Sequence, residues 1–164
     1  MKKAIIYIET SVISYLAARQ SPDLTTAACQ LITAEWWEKY RGSYNIVTSA
    51  LVITEAGEGD PLTAKKRIDL LKDIPVLRIT NEAAELARIL TGPRGALPRK
   101  AQADALHIAI AAVHNVDYLL TWNCRHIDNP ATKPLVRKVC NLQGYVCPEI
   151  CTPFEIMEID KNEK

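Results

Sequence analysis

The 164-residue chain predicts an α/β fold with a mainly parallel central sheet covered by helices on both faces. Three observations carry that expectation. Short, β-rich apolar runs alternate with helix-length segments from one end to the other. The first run, Ala4-Ile5-Ile6-Tyr7-Ile8, is apolar on both faces, as strands buried between helices are. Several apolar elements then end on, or open with, an acid or an amide, and in such sheets the working residues lie beyond the carboxyl ends of the strands.

The elements follow in order. Residues 4–8 read as a buried strand, and Ser11 can cap a short helix reaching Ala18. Asp23 can cap a longer helix ending near Arg41, with Gly42 as its stop. Residues 44–48 form a second strand, and a short helix carrying Glu55 begins at Ser49 and is stopped by Gly57 and Gly59. Pro61 stands where a first-turn proline belongs, with its helix running to Asp73. Residues 76–79 make a short strand, Asn81 caps a helix to Leu90, and Gly92-Pro93-Arg94-Gly95 is a loop. Pro98 starts the most apolar helix, ending near His114. Residues 117–121 are a strand, a helix from Pro130 or Pro134 reaches Leu142 and stops at Gly144, and residues 150–156 are a last strand.

Composition sets bounds. Residues 1–164 are expected to form one domain, with 48% hydrophobic and 24% charged residues, as in an ordinary globular protein. No apolar run approaches the roughly 20 residues of a membrane helix. Lys2-Lys3 precede an apolar run cut short by Glu9, which reads as a strand rather than a signal peptide and points to the cytoplasm. The net charge of +1 selects no partner. Its distribution is uneven: residues 86–103 hold no acid but carry Arg88, Arg94, Arg99 and Lys100, a loop suited to backbone phosphates or simply to water. The five cysteines, Cys29, Cys124, Cys140, Cys147 and Cys151, form no paired Cys-x-x-Cys knuckle. They read as small buried residues rather than zinc ligands with His126.

The acids carry the chemistry. Glu9 closes the first strand; Glu55 follows Ser49-Ala50-Leu51-Val52-Ile53-Thr54; Asp104 opens Ala105-Leu106-His107-Ile108-Ala109-Ile110-Ala111; Asn123 ends Asp117-Tyr118-Leu119-Leu120-Thr121-Trp122. Each has a bland explanation: Glu9 at a helix start, Glu55 as an exposed helix residue, Asp104 as an i,i+4 partner of Lys100. Jointly they fit one site better, because converging carboxylates repel unless a cation intervenes. Oxygen-only ligands suit Mg²⁺ or Mn²⁺, and such ions serve phosphodiester hydrolysis.

Those four segments, in that order, resemble the PIN-domain nucleases, close to VapC-type toxins of toxin–antitoxin pairs, over residues 4–156. The resemblance implies a three-layer, Rossmann-like α/β/α sandwich and a Mg²⁺- or Mn²⁺-dependent endoribonuclease. It implies an RNA substrate, an antitoxin protein as partner, and a homodimer as a further assembly. It places Glu9, Glu55 and Asp104 as metal-binding catalytic carboxylates and Asn123 at the fourth acidic position, with Thr10 or Ser11 orienting a carboxylate or water. The sequence departs from the family pattern twice: Glu9 stands where aspartate is usual, and Asn123 where an acid is usual. Asn123 can ligate only through its carbonyl, and Asp128 is an alternative fourth acid. A catalytically weak or inactive PIN module that binds RNA or a protein is therefore the second reading. A nucleotide-binding or response-regulator-like domain is disfavoured, since no Gly-rich phosphate loop follows the first strand.

Arg94, Arg99, Lys100, Arg125, His126 and His107 are candidates for RNA contacts, although His107 also reads as a satisfied core histidine. Trp122 reads either as a base-stacking residue or as core. Trp36, Trp37 and Tyr40 share one helix. In this family an early helical hairpin helps form the antitoxin groove, so an exposed aromatic there would suit an antitoxin or dimer contact.

Overall fold

The computed structural model describes residues 2–162. Five strands form one parallel sheet in the order β3-β2-β1-β4-β5. These are β1 (Ile5–Ile8), β2 (Asn45–Ser49), β3 (Val76–Leu77), β4 (Tyr118–Leu120) and β5 (Glu149–Cys151). Helices α1 (Thr10–Ala17), α2 (Leu24–Lys39), α3 (Ala50–Ala56), α4 (Pro61–Leu71), α5 (Asn81–Leu90), α6 (Gln102–Val113), α7 (Lys133–Leu142) and α8 (Pro153–Asn162) cover it. Helices α5, α6 and α7 pack together, as do α1, α2, α4 and α8, giving the expected three layers.

β1 is central. It pairs with β2 through Ile6 and Ile46 and with β4 through Tyr7 and Leu119. Ile6, Tyr7 and Ile8 are fully buried, because helices close both faces of the sheet. Helix α6 is buried almost all round: Ala105, His107, Ile108, Ala109, Ile110, Ala111 and Ala112 are lost to solvent. Its alanines let α5 approach closely, and α5 carries the matching apolar face of Ala83, Leu86, Ala87 and Leu90. No helix of the described residues is long and apolar enough to cross a membrane.

Most expected elements are present, with four local differences. Glu9, not Ser11, caps α1, its carboxylate accepting the Ser11 N–H at 3.1 Å. Thr80, not Asn81, caps α5 by accepting the Ala83 N–H. Pro98 does not open α6: Ala101 lies off helical geometry (φ −92°, ψ 37°), so the helix starts at Gln102 and Asp104 falls in its first turn. The last expected strand is cut at Cys151. Glu155 reaches back to the Thr152 N–H at 2.8 Å while Thr152 Oγ1 accepts the Glu155 N–H at 3.2 Å, a capping box that with Pro153 launches α8. Gly144 (φ 83°), the expected stop, takes the left-handed conformation beyond α7, and Asn115 (φ 54°) does the same beyond α6.

Candidate active site

Parallel pairing brings the carboxyl ends of β1, β2 and β4 to one edge of the sheet. Glu9 leaves β1 there, Glu55 rides on α3 directly after β2, and Asn123 follows β4. Asp104 and His107 lie one helical turn apart on α6 and so share a face.

Glu9 is 6% exposed and nearly surrounded by donors. Its Oε2 accepts from the Ser11 N–H, from the Ser11 hydroxyl and from Thr121 Oγ1 at 2.8 Å. Ser11 Oγ also accepts the Trp122 N–H at 2.8 Å, tying β1 to the segment after β4. The acid thus sits at the N-terminus of α1, where negative charge is favoured. Its Oε1 takes no hydrogen bond among the described residues and lies 4.0 Å from His107 Nε2.

Glu55 is anchored in the same way. Its Oε1 accepts from Thr10 Oγ1 at 2.5 Å and from His107 Nε2 at 2.7 Å, leaving Oε2 without a hydrogen bond among the described residues. Burial alone pushes its carboxyl up. The hydrogen bond and charge of His107, with the Thr10 hydroxyl, outweigh that and hold it below the usual carboxylate range.

His107 is fully buried, and its Nδ1 meets the Tyr7 hydroxyl at 2.7 Å. Tyr7 Oη also meets Ser49 Oγ at 2.8 Å, and Ser49 Oγ accepts the Val52 N–H. Burial drives the Tyr7 phenol well above its ordinary range, so it keeps its proton. With Nε2–H donating to Glu55, the Tyr7 hydroxyl bridges Nδ1 and Ser49 Oγ. Both ring nitrogens are then spent inside the protein, and His107 holds a carboxylate rather than a phosphate.

Asp104 belongs to a second cluster. Its Oδ1 accepts from Asn123 Nδ2 at 2.9 Å and its Oδ2 faces His126 Nδ1 at 2.9 Å. Asn123 Oδ1 accepts the His126 N–H at 3.1 Å, and the Asn123 N–H donates to Thr121 Oγ1. That backbone donor fixes the amide orientation: the carbonyl is committed to the turn, and the NH₂ points at Asp104. Asn123 thus donates to an acid. Among the described residues, no group of three or more His, Cys, Asp or Glu side chains is arranged to hold a metal ion.

Other expected residues are dispersed. Arg94, Arg99 and Lys100 are exposed in the loop before α6, and Arg125 is exposed beyond Asn123. Asp128 is buried, and its carboxylate is paired with Lys133 at 2.6 Å rather than turned toward Glu9 or Glu55. Trp122 donates Nε1–H to Thr33 Oγ1 at 2.7 Å and stacks on Tyr15 with ring centroids 6.1 Å apart. Trp36 is fully buried, and Trp37 is covered by Arg41, 4.1 Å above its ring. The exposed apolar residues of α2 are Leu24 and Leu31 instead. Cys140 and Cys151 are buried, while Cys124 is exposed. Three parts of the site were not read from the sequence: Tyr7, Ser49 and Thr121. Tyr7 alone left a trace, as the one polar side chain inside an otherwise apolar strand.

The model of the PIN domain family matches residues 6–128, from β1 to the segment beyond β4. The chain belongs to the PIN domain family. The fold is also similar to that of VapBC2 from Rickettsia felis, solved bound to a DNA fragment from their promoter. That match has a TM-score of 0.52 and 12% identity over 90% of this chain and 98% of that one. It is likewise similar to VapC20 of Mycobacterium tuberculosis, described as a sarcin-ricin loop cleaving toxin. There the TM-score is 0.50 and the identity 16%, over 70% of this chain and 86% of that one. No curated protein sequence matches the chain.

Proposed function

We propose that this PIN-domain protein is a Mg²⁺- or Mn²⁺-dependent endoribonuclease acting as the toxin of a toxin–antitoxin pair. One observation carries the reading. Glu9 and Glu55 each have one oxygen fixed by donors and the other uncommitted, at the carboxyl edge of a parallel sheet. Anchoring one oxygen while presenting the other is how ligating carboxylates are held, and an oxygen-only set suits a hard divalent ion. Glu9 and Glu55 would hold it, and Asp104 would join them by giving up Asn123 or His126. The ion would supply polarisation of a phosphoryl oxygen and acidify a bound water. The protein's own contribution is positional: Ser11, Thr121, Thr10 and His107 fix the carboxylates. Exposed Arg94, Arg99, Lys100 and Arg125 would meet the RNA backbone. The fold shared with VapC proteins supports an antitoxin partner, for which Leu24 and Leu31 on α2 offer an apolar surface.

Cleavage of RNA by pure protein in Mn²⁺ tests this, with Asp104→Asn as control. No cleavage in any metal, or equal cleavage by the variant, would remove the enzyme claim.

The second reading, a PIN module that binds without cutting, is favoured by Asp104, whose two oxygens are already satisfied by Asn123 and His126. Metal titration separates the two, since a pocket that stays empty at millimolar Mn²⁺ supports the binding module.

A further inference from the structure

Next to the acids lies a crevice of about 560 Å³, framed by α2, the segment after β4 and the start of α8. Its volume falls in the roughly 300–1,000 Å³ range of small-ligand sites. We infer that this crevice is a base-binding subsite for the RNA substrate, selecting guanine, whose carbonyl oxygen stands beside a ring N–H and an amino group. This rests on the ribonuclease reading above.

The walls are suited to a flat ring. Trp122, Phe154 and Pro130 line the crevice. Phe154 stays 49% exposed on α8, a large aromatic surface that packing inside this chain leaves uncovered. Stacking on aromatic side chains is the usual means of holding an unpaired base.

The polar groups give the selectivity. Lys133 Nζ has three donors; one goes to Asp128 Oδ1 at 2.6 Å and one to the Ile150 carbonyl at 3.4 Å, leaving one for an acceptor. Glu155 spends Oε2 on Thr152 N–H and Oγ1, and its Oε1 has no donor among the described residues. Burial, and then the neighbouring Glu155, push the Asp128 carboxyl up against the pull of Lys133. Two crowded carboxylates of this kind are relieved by an N–H donor from outside. One spare donor beside spare carboxylate oxygens matches the edge of guanine, a carbonyl followed by a ring N–H and an amino group. Adenine lacks the carbonyl, and cytosine and uracil each turn a further acceptor, a ring nitrogen or a second carbonyl, toward a carboxylate. An apolar side chain from a protein partner would leave both groups unpaired, at a cost.

Position links the crevice to the chemistry. Trp122 lines it with its side chain, while its backbone N–H donates to the Ser11 hydroxyl that also holds Glu9. A base seated there belongs to a nucleotide beside the one whose phosphate meets the acids.

The test follows the Trp122 indole N–H of the full chain by NMR during titration with each of the four nucleoside monophosphates. GMP should shift it with a Kd about ten-fold below those of AMP, CMP and UMP. Phe154→Ala should weaken GMP about ten-fold, and Glu155→Gln should erase the preference while keeping the α8 cap through its amide oxygen. Equal binding of all four nucleotides, or no shift with any, would overturn the subsite. RNA cleavage tells the two readings apart. If wild type cuts RNA and Phe154→Ala leaves KM unchanged, the subsite is wrong and the nuclease stands. If GMP binds as described but no RNA is cut, the nuclease is wrong and a base-binding site stands.

Discussion

Glu55 and Asp104 are each paired with a histidine, at 2.7 and 2.9 Å, yet the two pairs are built differently. The Glu55 partner, His107, is fully buried, and its far nitrogen is locked by Tyr7 and then Ser49. The Asp104 partner, His126, has 21% of its side chain exposed, and its far nitrogen bonds to nothing among the described residues. The first half is a closed network spanning β1, β2, α1, α3 and α6; the second is a turn after β4 leaning on the start of α6. A network interlocked through a buried histidine specifies one geometry, whereas a part-buried pair whose histidine has one nitrogen unbound can exchange partners. The site therefore has a fixed half, Glu9 and Glu55, and an adjustable half, Asp104 with Asn123 and His126.

The largest expected effect comes from breaking the fixed half. His107→Ala should cost about 3 kcal/mol in urea unfolding, since it empties buried volume and strips hydrogen-bond partners from Glu55 and Tyr7. Tyr7→Phe should cost about 1–2 kcal/mol, because it deletes only the hydroxyl between Ser49 and His107. If either matched a surface substitution, the first half would not be the rigid one. Asn123→Asp acts on the adjustable half. It replaces a donor to Asp104 by a like charge, so it should lose about 1 kcal/mol in chelator and recover with Mn²⁺. Loss without recovery would separate Asn123 from any metal role.

A smaller effect concerns acid. The Glu55 carboxyl is held below its ordinary value of 4.5, so its contribution is complete above that pH and fades as pH falls through the folded-state value. Unfolding followed from pH 6 downward should therefore show a steeper acid loss in wild type than in Glu55→Gln; equal slopes would contradict the pairing. Smallest of all, His126→Ala should change stability by about 0.5 kcal/mol or less.

The sequence and the structure diverge along the same line. The strands, and the placement of Glu9 and Asn123 after strands, of Glu55 on the short helix after β2 and of Asp104 on the apolar helix α6, were legible, because apolar periodicity and capping residues are local signals. The start of α6 was not, since Ala101 leaves helical geometry through contacts of the loop around Leu97, whose N–H reaches the Leu90 carbonyl at 2.9 Å. Nor was the cut at Cys151, where valid strand propensity in 150–156 lost to a capping box. Within the site, the partners were hidden for a further reason. Tyr7, Ser49 and His107 are 42 and 100 residues apart in hydrogen-bonded pairs, and no local pattern encodes that. The orientation of Asn123 was hidden for the same reason: the His126 N–H takes its carbonyl and turns the amide toward Asp104.

Binding of Mn²⁺ to the wild-type chain and to Glu55→Gln, followed by titration calorimetry, tests the central claim most directly. Saturable binding to wild type, weakened at least about ten-fold in the variant, is the predicted result. Equal binding by the two proteins, or none by wild type at millimolar Mn²⁺, would contradict a metal-dependent site built on Glu9 and Glu55.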